Sequence, residues 1–287
     1  GRMIDVARPR LPVFLRDFQP IAPRHRASQE EALEWLAQAH ARFENCSITR
    51  ARKEASRFGC GPDRIQGRGY ELEDFGHLDW ERMRIFNPVK FRSGAGMEAR
   101  TRYFAEAALE AMERFYPIAQ GVTQAPDALI HVTCTGYDSP SVAQKWVARS
   151  GWPERTQVLH VYHMGCYAAM PAIRVAQGWL AASAEAVAVD VVHTELCTLH
   201  LDLRSRSPQG WVQESLFGDG LIRYRAGLSP GAGRRALEVV ALRDLILPDS
   251  SELMRWSASD WGMSMVLSPE IPERIARGLR KALVGLI

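Results

Sequence analysis

Residues 158–183 read VLHVYHMGCYAAMPAIRVAQGWLAAS. The stretch opens with apolar residues of the kind buried in a strand and closes with a long run at helical spacing. Gly165 precedes Cys166 at the junction, and small residues follow it. Pro171 falls in the first helical turn, where its missing N–H would have had no intrahelical partner. A cysteine placed here faces the first free backbone N–H groups and the positive end of the helix dipole, which favour the reactive thiolate. Cys166 is therefore the candidate nucleophile. The competing account is a buried cysteine acting as a small hydrophobe, the usual role of a free thiol.

Outward from this stretch the elements alternate. ALIHVTC (128–134) is an apolar strand running into the turn-rich TGYDSPS, and PSVAQKWVARSGW is the helix that follows. Beyond the Cys166 helix, AVAVDVVHT (186–194) is a third strand. Strand–helix–strand–helix–strand predicts a mainly parallel sheet with helices on its faces. Sites in such sheets gather at the carboxyl ends of the strands, where Cys134 and Cys166 both fall.

Upstream, residues 98–117 form an amphipathic helix ending before Pro117, and Ser28 with Glu31 is spaced as a capping box opening another. Residues 10–27 read as an extended entry segment, and 46–96 as loops and short helices. Downstream, ESLFGDGLIRYRAG leads into a strand-like IRYR, and SPGAGRR is a link. The remainder reads as strand (ALEVVALRDLIL), loop (PDSSELMRWSASDW), strand (GMSMVLS) and a helix beginning PERIARG.

Composition narrows the function. The 287 residues are 46% hydrophobic and 24% charged, with a net charge of +3, too small to imply nucleic-acid binding. The five cysteines (Cys46, Cys60, Cys134, Cys166, Cys197) are odd in number and lack paired spacing, which argues against a disulfide framework or a zinc site. No run of eighteen apolar residues occurs, so no membrane segment is expected and the protein is placed in the cytoplasm. Gly1-Arg2 ahead of Met3 reads as a cloning remnant.

Several motifs are set aside. The residues around Cys166 lack both glycines of a hydrolase nucleophile elbow. GCGPDRIQGRG lacks the strand–GxGxxG–helix context of a dinucleotide site. HTELCTLHLD offers His193, Glu195, Cys197, His200 and Asp202, and alternation would put the first three on one face. Without an HExxH or CxxC pairing, no metal is expected. His163, three residues before Cys166, is read as a strand residue whose side chain packs.

Taken in order, VTCTGYDSPS, HMGCYAAMPAIRVA, HTELCTLHLD, SLFGDG and LPDS followed by GMSMVLSPEIPERI resemble the type III polyketide synthases, the chalcone synthase-like branch of the thiolase superfamily. The resemblance covers residue 98 onward well and the first hundred residues loosely. It implies an α/β thiolase-like layered αβαβα fold. It also implies loading of an acyl group from acyl-CoA onto Cys166 and condensation with malonyl-CoA to a polyketide such as a pyrone or resorcinol. CoA thioesters are the substrates, with no other cofactor, and the usual assembly is a homodimer. Phe217 matches the family's gatekeeper beside the CoA tunnel, and Cys134 a pocket position next to the nucleophile. Trp256 falls where plant relatives have a small Gly, and Met265 where they have a gate Phe. His200 joins them as a substrate-binding position. The resemblance divides the chain into an N-terminal covering segment (1–97), a half carrying the nucleophile (98–235) and the start of a second half (236–287).

The family's catalytic His and Asn lie in motifs resembling HPGGP and GNMSS, and neither motif occurs in these 287 residues. The expectation is an incomplete second half: a longer polypeptide, a second polypeptide supplying the rest, or a fragment poor at condensation alone. A ketoacyl synthase III-like acyltransferase using carrier-protein substrates, and a non-catalytic subunit of a heterodimer, are the alternatives.

Overall fold

The computed structural model describes residues 11–92, 94–118, 125–183, 188–205, 207–233 and 235–283. Gly1-Arg2, the start of the third strand read at 186–187 and the last four residues of the terminal helix lie outside them. A six-stranded sheet forms the centre, built from β1 (Phe14–Ile21), β4 (Ala128–Thr133), β5 (Gln157–Tyr162), β6 (Val189–Glu195), β7 (Gly220–Gly227) and β8 (Ala236–Glu238). Its order is β5-β4-β6-β7-β1-β8.

The sheet is mixed, which corrects the expectation of a mainly parallel one. β5, β4 and β6 run parallel, while β6–β7, β7–β1 and β1–β8 are antiparallel. The cause is the connection after β6. The chain passes through a 3-10 turn (Cys197–His200) and helix α6 (Pro208–Leu216). β7 then starts at Gly220 directly opposite Glu195, the last residue of β6. A parallel partner needs a crossover to the far end of the sheet, and this connection never leaves the near one. The extended entry segment supplies β1, and then β2 (His25–Ser28), which pairs with β3 (Gly67–Tyr70).

β4 shows how the layers arise. All six of its residues are buried, and successive side chains enter opposite cores. Leu129 faces α3 (Met97–Phe115) and α4 (Val142–Arg149), in a core shared with α1 (Gln29–Phe43), α2 (Ile48–Phe58) and α6. Ile130 and Val132 face α5 (Ala169–Ala182) through Ala172, Ile173, Ala176 and Leu180. Each fully buried Leu, Ile or Val of this kind contributes about 1.5–3 kcal/mol by leaving water. α1 opens with the expected capping box, in which the Ser28 side chain accepts from Glu31 N–H and the Glu31 carboxylate accepts from Ser28 N–H.

Three local readings change. β5, read as a buried strand, is the edge of the sheet and mostly half-buried, because an apolar run does not distinguish an edge from a centre. ALEVVALRDLIL pairs only over Ala236–Glu238, alongside β1, and its later residues form no strand. The loop read at 248–261 contains β9 (Met254–Ala258), which pairs antiparallel with β10 (Met263–Leu267). The terminal helix α7 begins at Ile271.

Candidate active site

The carboxyl ends of the three parallel strands converge. β4 ends at Thr133, β5 at Tyr162 and β6 at Glu195, and each hands over to a turn that carries a chemically active residue. Cys134 follows β4. Cys166 follows β5 by four residues, in a turn that enters α5. Gly165 makes that turn with φ +79, a left-handed conformation that strains any side-chain-bearing residue. His163 takes the same region with φ 59, outside the strand to which it was assigned. Its Nδ1 is bonded to the Tyr137 hydroxyl, so it pairs with the 134–141 loop rather than packing in the sheet.

A cavity of about 230 Å³ opens at this end of the sheet. Cys166, Cys134, His200, Phe217, Trp256 and Met265 all line it. For scale, an apolar cavity of about 150 Å³ accommodates benzene. Of the three cysteines on its wall only Cys166 is exposed, while Cys134 and Cys197 are partly covered. Burial, then the neighbouring Glu195 carboxylate, push the Cys134 thiol up, and burial does the same to Cys197. Both are held as thiols, and Cys166 sits at the N-terminus of α5, which has no side-chain cap.

The wall is pinned by hydrogen bonds. Trp256 Nε1 donates to the Cys134 carbonyl at 2.6 Å, tying β9 to the end of β4. Trp256 and Met265 face each other across the β9–β10 pair. His200 Nε2 lies 2.7 Å from the Thr135 carbonyl, and the Met263 N–H reaches Nδ1 at 3.1 Å. This pairing makes Nε2 the donor and Nδ1 the acceptor. Burial pushes the His200 pKa down to about 3, so the ring is neutral with both nitrogens engaged. His200 shapes the wall and has no free nitrogen to act as a base. Phe217 is half-buried at the end of α6, and Arg68 donates to its carbonyl at 2.7 Å.

Three carboxylates also line the cavity, and the sequence did not single out their role. Glu195 accepts from Cys134 N–H at 3.0 Å and from the Thr135 hydroxyl at 2.8 Å, with its pKa raised by burial. Glu214 is buried on α6. Its Oε2 is bonded to His40 Nε2 at 2.6 Å, and its Oε1 has no hydrogen-bond partner among the described residues. Asp202 pairs with Arg204 at 2.9 Å. The place of Glu195 at a strand's carboxyl end was the one available signal. In the HTELC run, His193 Nε2 is bonded to the Tyr224 hydroxyl at 3.2 Å and Glu195 to Cys134 N–H and the Thr135 hydroxyl. Among the described residues no group of three His, Cys, Asp or Glu side chains could hold a metal ion.

No family model matches the chain. It is 25% identical over 162 residues to a chalcone synthase-like protein of Bacillus subtilis, covering 54% of this chain and 43% of that protein. It is 29% identical over 147 residues to a 3,5-dihydroxyphenylacetyl-CoA synthase of Streptomyces toyocaensis, covering 49% of this chain and 37% of that one. The matched segments thus span less than half the length of either relative. Among solved structures, the C-terminal type III polyketide synthase domain of Steely1 from Dictyostelium superposes with a TM-score of 0.78 at 20% identity, covering 95% of this chain and 72% of that one. The fold is that of the type III polyketide synthases. At 95% coverage the likeness takes in most of the first hundred residues, where the motifs were sparse. The type III polyketide synthase resemblance drawn from the ordered motifs therefore stands. Nothing in these likenesses supports a second polypeptide completing the chain. Among the described residues no helix is long and apolar enough to cross a membrane.

Proposed function

We propose that this chain carries the acyl-loading site of a type III polyketide synthase, with Cys166 as nucleophile. The Cys166 thiolate attacks the carbonyl of an acyl-CoA, the new S–C bond forms, and the CoA thiolate leaves and takes up a proton. Malonyl-CoA then loses CO2, and the resulting carbanion attacks the enzyme-bound acyl carbonyl, releasing the Cys166 sulfur. Carbon, sulfur and charge balance with CoA thioesters alone, so no further cofactor enters. Phe217 gates the entrance, and Cys134, Trp256, Met265 and His200 shape the acyl pocket. The working unit in this reading is a homodimer in the cytoplasm.

One observation carries the reading. Among the cavity's cysteines Cys166 alone is exposed, it lies at a helix N-terminus, and it opens onto a largely apolar pocket. Intact mass after incubation with a panel of acyl-CoAs tests it. A single acyl adduct that vanishes in Cys166→Ala is the expected result. An adduct that persists in that variant, or none with any acyl-CoA, would overturn the assignment.

A further inference from the structure

A second concavity, a groove of about 610 Å³, lies apart from the Cys166 cavity and shares no lining residue with it. It is bounded by β2, the start of α1 and residues 75–78. One wall is aromatic: the Phe75 ring stacks on Tyr70 at 4.6 Å between centroids and meets Trp35 at 4.3 Å. Tyr70 is only 2% exposed, yet it lines the groove, and its hydroxyl has no hydrogen-bond partner among the described residues. Burial pushes the Tyr70 phenol up, so the hydroxyl stays protonated and can donate. Buried polar groups are as a rule paired, and a lone one at the wall of a groove marks a place where a ligand would pair with it.

The charged groups of the groove point to the kind of ligand. Its carboxylates are already answered. Glu34 pairs with Arg52 at 2.7 Å and accepts from Gln38 at 2.9 Å, and Glu31 accepts from Ser28 N–H at the start of α1. Arg24 is taken up by Glu71 and Glu110. The groups left over can donate. Arg26 has no ion pair among the described residues, and the ring of His25, opposite Tyr70 in the β2–β3 pair, has no hydrogen bond among them. His77 Nδ1 accepts from Asp79 N–H at 3.2 Å, which leaves the proton of the neutral ring on Nε2.

We propose that this groove binds a flat aromatic carboxylate, with its ring against Phe75 and its anionic head toward Tyr70, Arg26 and the two imidazoles. A carboxylate accepts several hydrogen bonds at once, and an aromatic ring gains contacts with Phe75 that a saturated ring lacks. The site does not depend on the reading of Cys166.

Fluorine NMR of 4-fluorobenzoate with the unmodified protein tests this, supported by competing ligands and two variants. Its Kd should be about 1 mM or tighter, within reach of so small a ligand. Benzoate should displace the probe. Benzamide, which lacks the charge, and cyclohexanecarboxylate, which lacks the flat ring, should each compete about tenfold less well. Tyr70→Phe keeps the stacked ring and removes only the hydroxyl, while Arg26→Ala changes an exposed position of β2. Each should weaken the probe by about tenfold. Absence of binding at about 10 mM would overturn the proposal. Full affinity in either variant would overturn it too, because the probe would then sit elsewhere. So would benzamide or cyclohexanecarboxylate competing as well as benzoate. Acyl loading on Cys166 should be the same in both variants, so failure of this proposal leaves the loading assignment standing.

Discussion

A single hydrogen bond sets much of the pocket's shape. Trp256 Nε1 holds the Cys134 carbonyl at 2.6 Å, while the indole and the His200 ring meet edge to face at 5.7 Å between ring centroids. Trp256→Phe keeps an aromatic ring but deletes the donor together with the five-membered half of the indole. The loss should destabilise the fold by about 1 kcal/mol, lowering Tm by roughly 2 °C, with Cys166 still able to load. An unchanged Tm in differential scanning calorimetry would show that the bond contributes nothing in solution. At this scale the place of Cys166 between a strand and a helix was legible because its signal is local: strand, Gly165, thiol and Pro171 stand within a few residues of one another. The carboxylates were not. Nothing in the sequence around Glu214 marks it as buried, and only packing of α6 against α1 places it beside His40. His163 misled for a related reason, because neither its left-handed φ nor its contact with Tyr137, 26 residues away, is announced by its neighbours in sequence.

Among the elements, α3 and the loop after β4 fit together with no spare room. A Cβ on Gly136 would lie 1.9 Å from a ring carbon of the fully buried Phe104. Gly136→Ala should therefore cost about 1–3 kcal/mol and displace the loop that carries Cys134 and Tyr137. The same variant should load acyl groups on Cys166 more slowly, even well below its Tm. Wild-type stability measured by denaturant melts would remove the argument. Long helices with clear periodicity, such as α1 and α3, were legible in the sequence, with ends close to those observed. Strand partnership was not. Nothing in ESLFGDG announces that the chain turns back on the same edge of the sheet, nor does ALEVVALRDLIL show that its pairing stops at Glu238.

For the molecule as a whole, buried titratable groups dictate how stability depends on pH. Burial pushes His131 and His200 down to about 3 and His193 to about 4. Below about 6.5 the unfolded chain binds protons that these rings refuse, so stability should rise with pH from about 3 to 6.5. His40 behaves oppositely. Burial lowers its pKa, but Glu214 and Glu44 outweigh that and raise it to about 9. Its contribution is complete below 6.5 and lost as pH climbs through about 9, on the order of 3 kcal/mol. Asp219, raised by burial to about 7, loses its contribution as pH rises between 3.8 and 7, and Glu195 and Glu214, also raised by burial, act in the same direction against the three histidines. On the alkaline side His40 decides, and Tm should fall as pH climbs from 6.5 through about 9. A Tm that stays level from pH 6.5 to 9.5 would contradict the His40 assignment, and His40→Gln should flatten that alkaline arm.

β1, the N-terminal strand, lies inside the sheet, between β7 and β8. Its partners, at residues 221–227 and 236–238, follow it by roughly two hundred residues. On a ribosome adding about 5–20 residues per second, β1 would wait roughly 10–40 s for the first of them. During that interval a strand with both edges open is a ready template for the wrong partner. The nascent chain thus passes through a period of exposure that the finished sheet conceals.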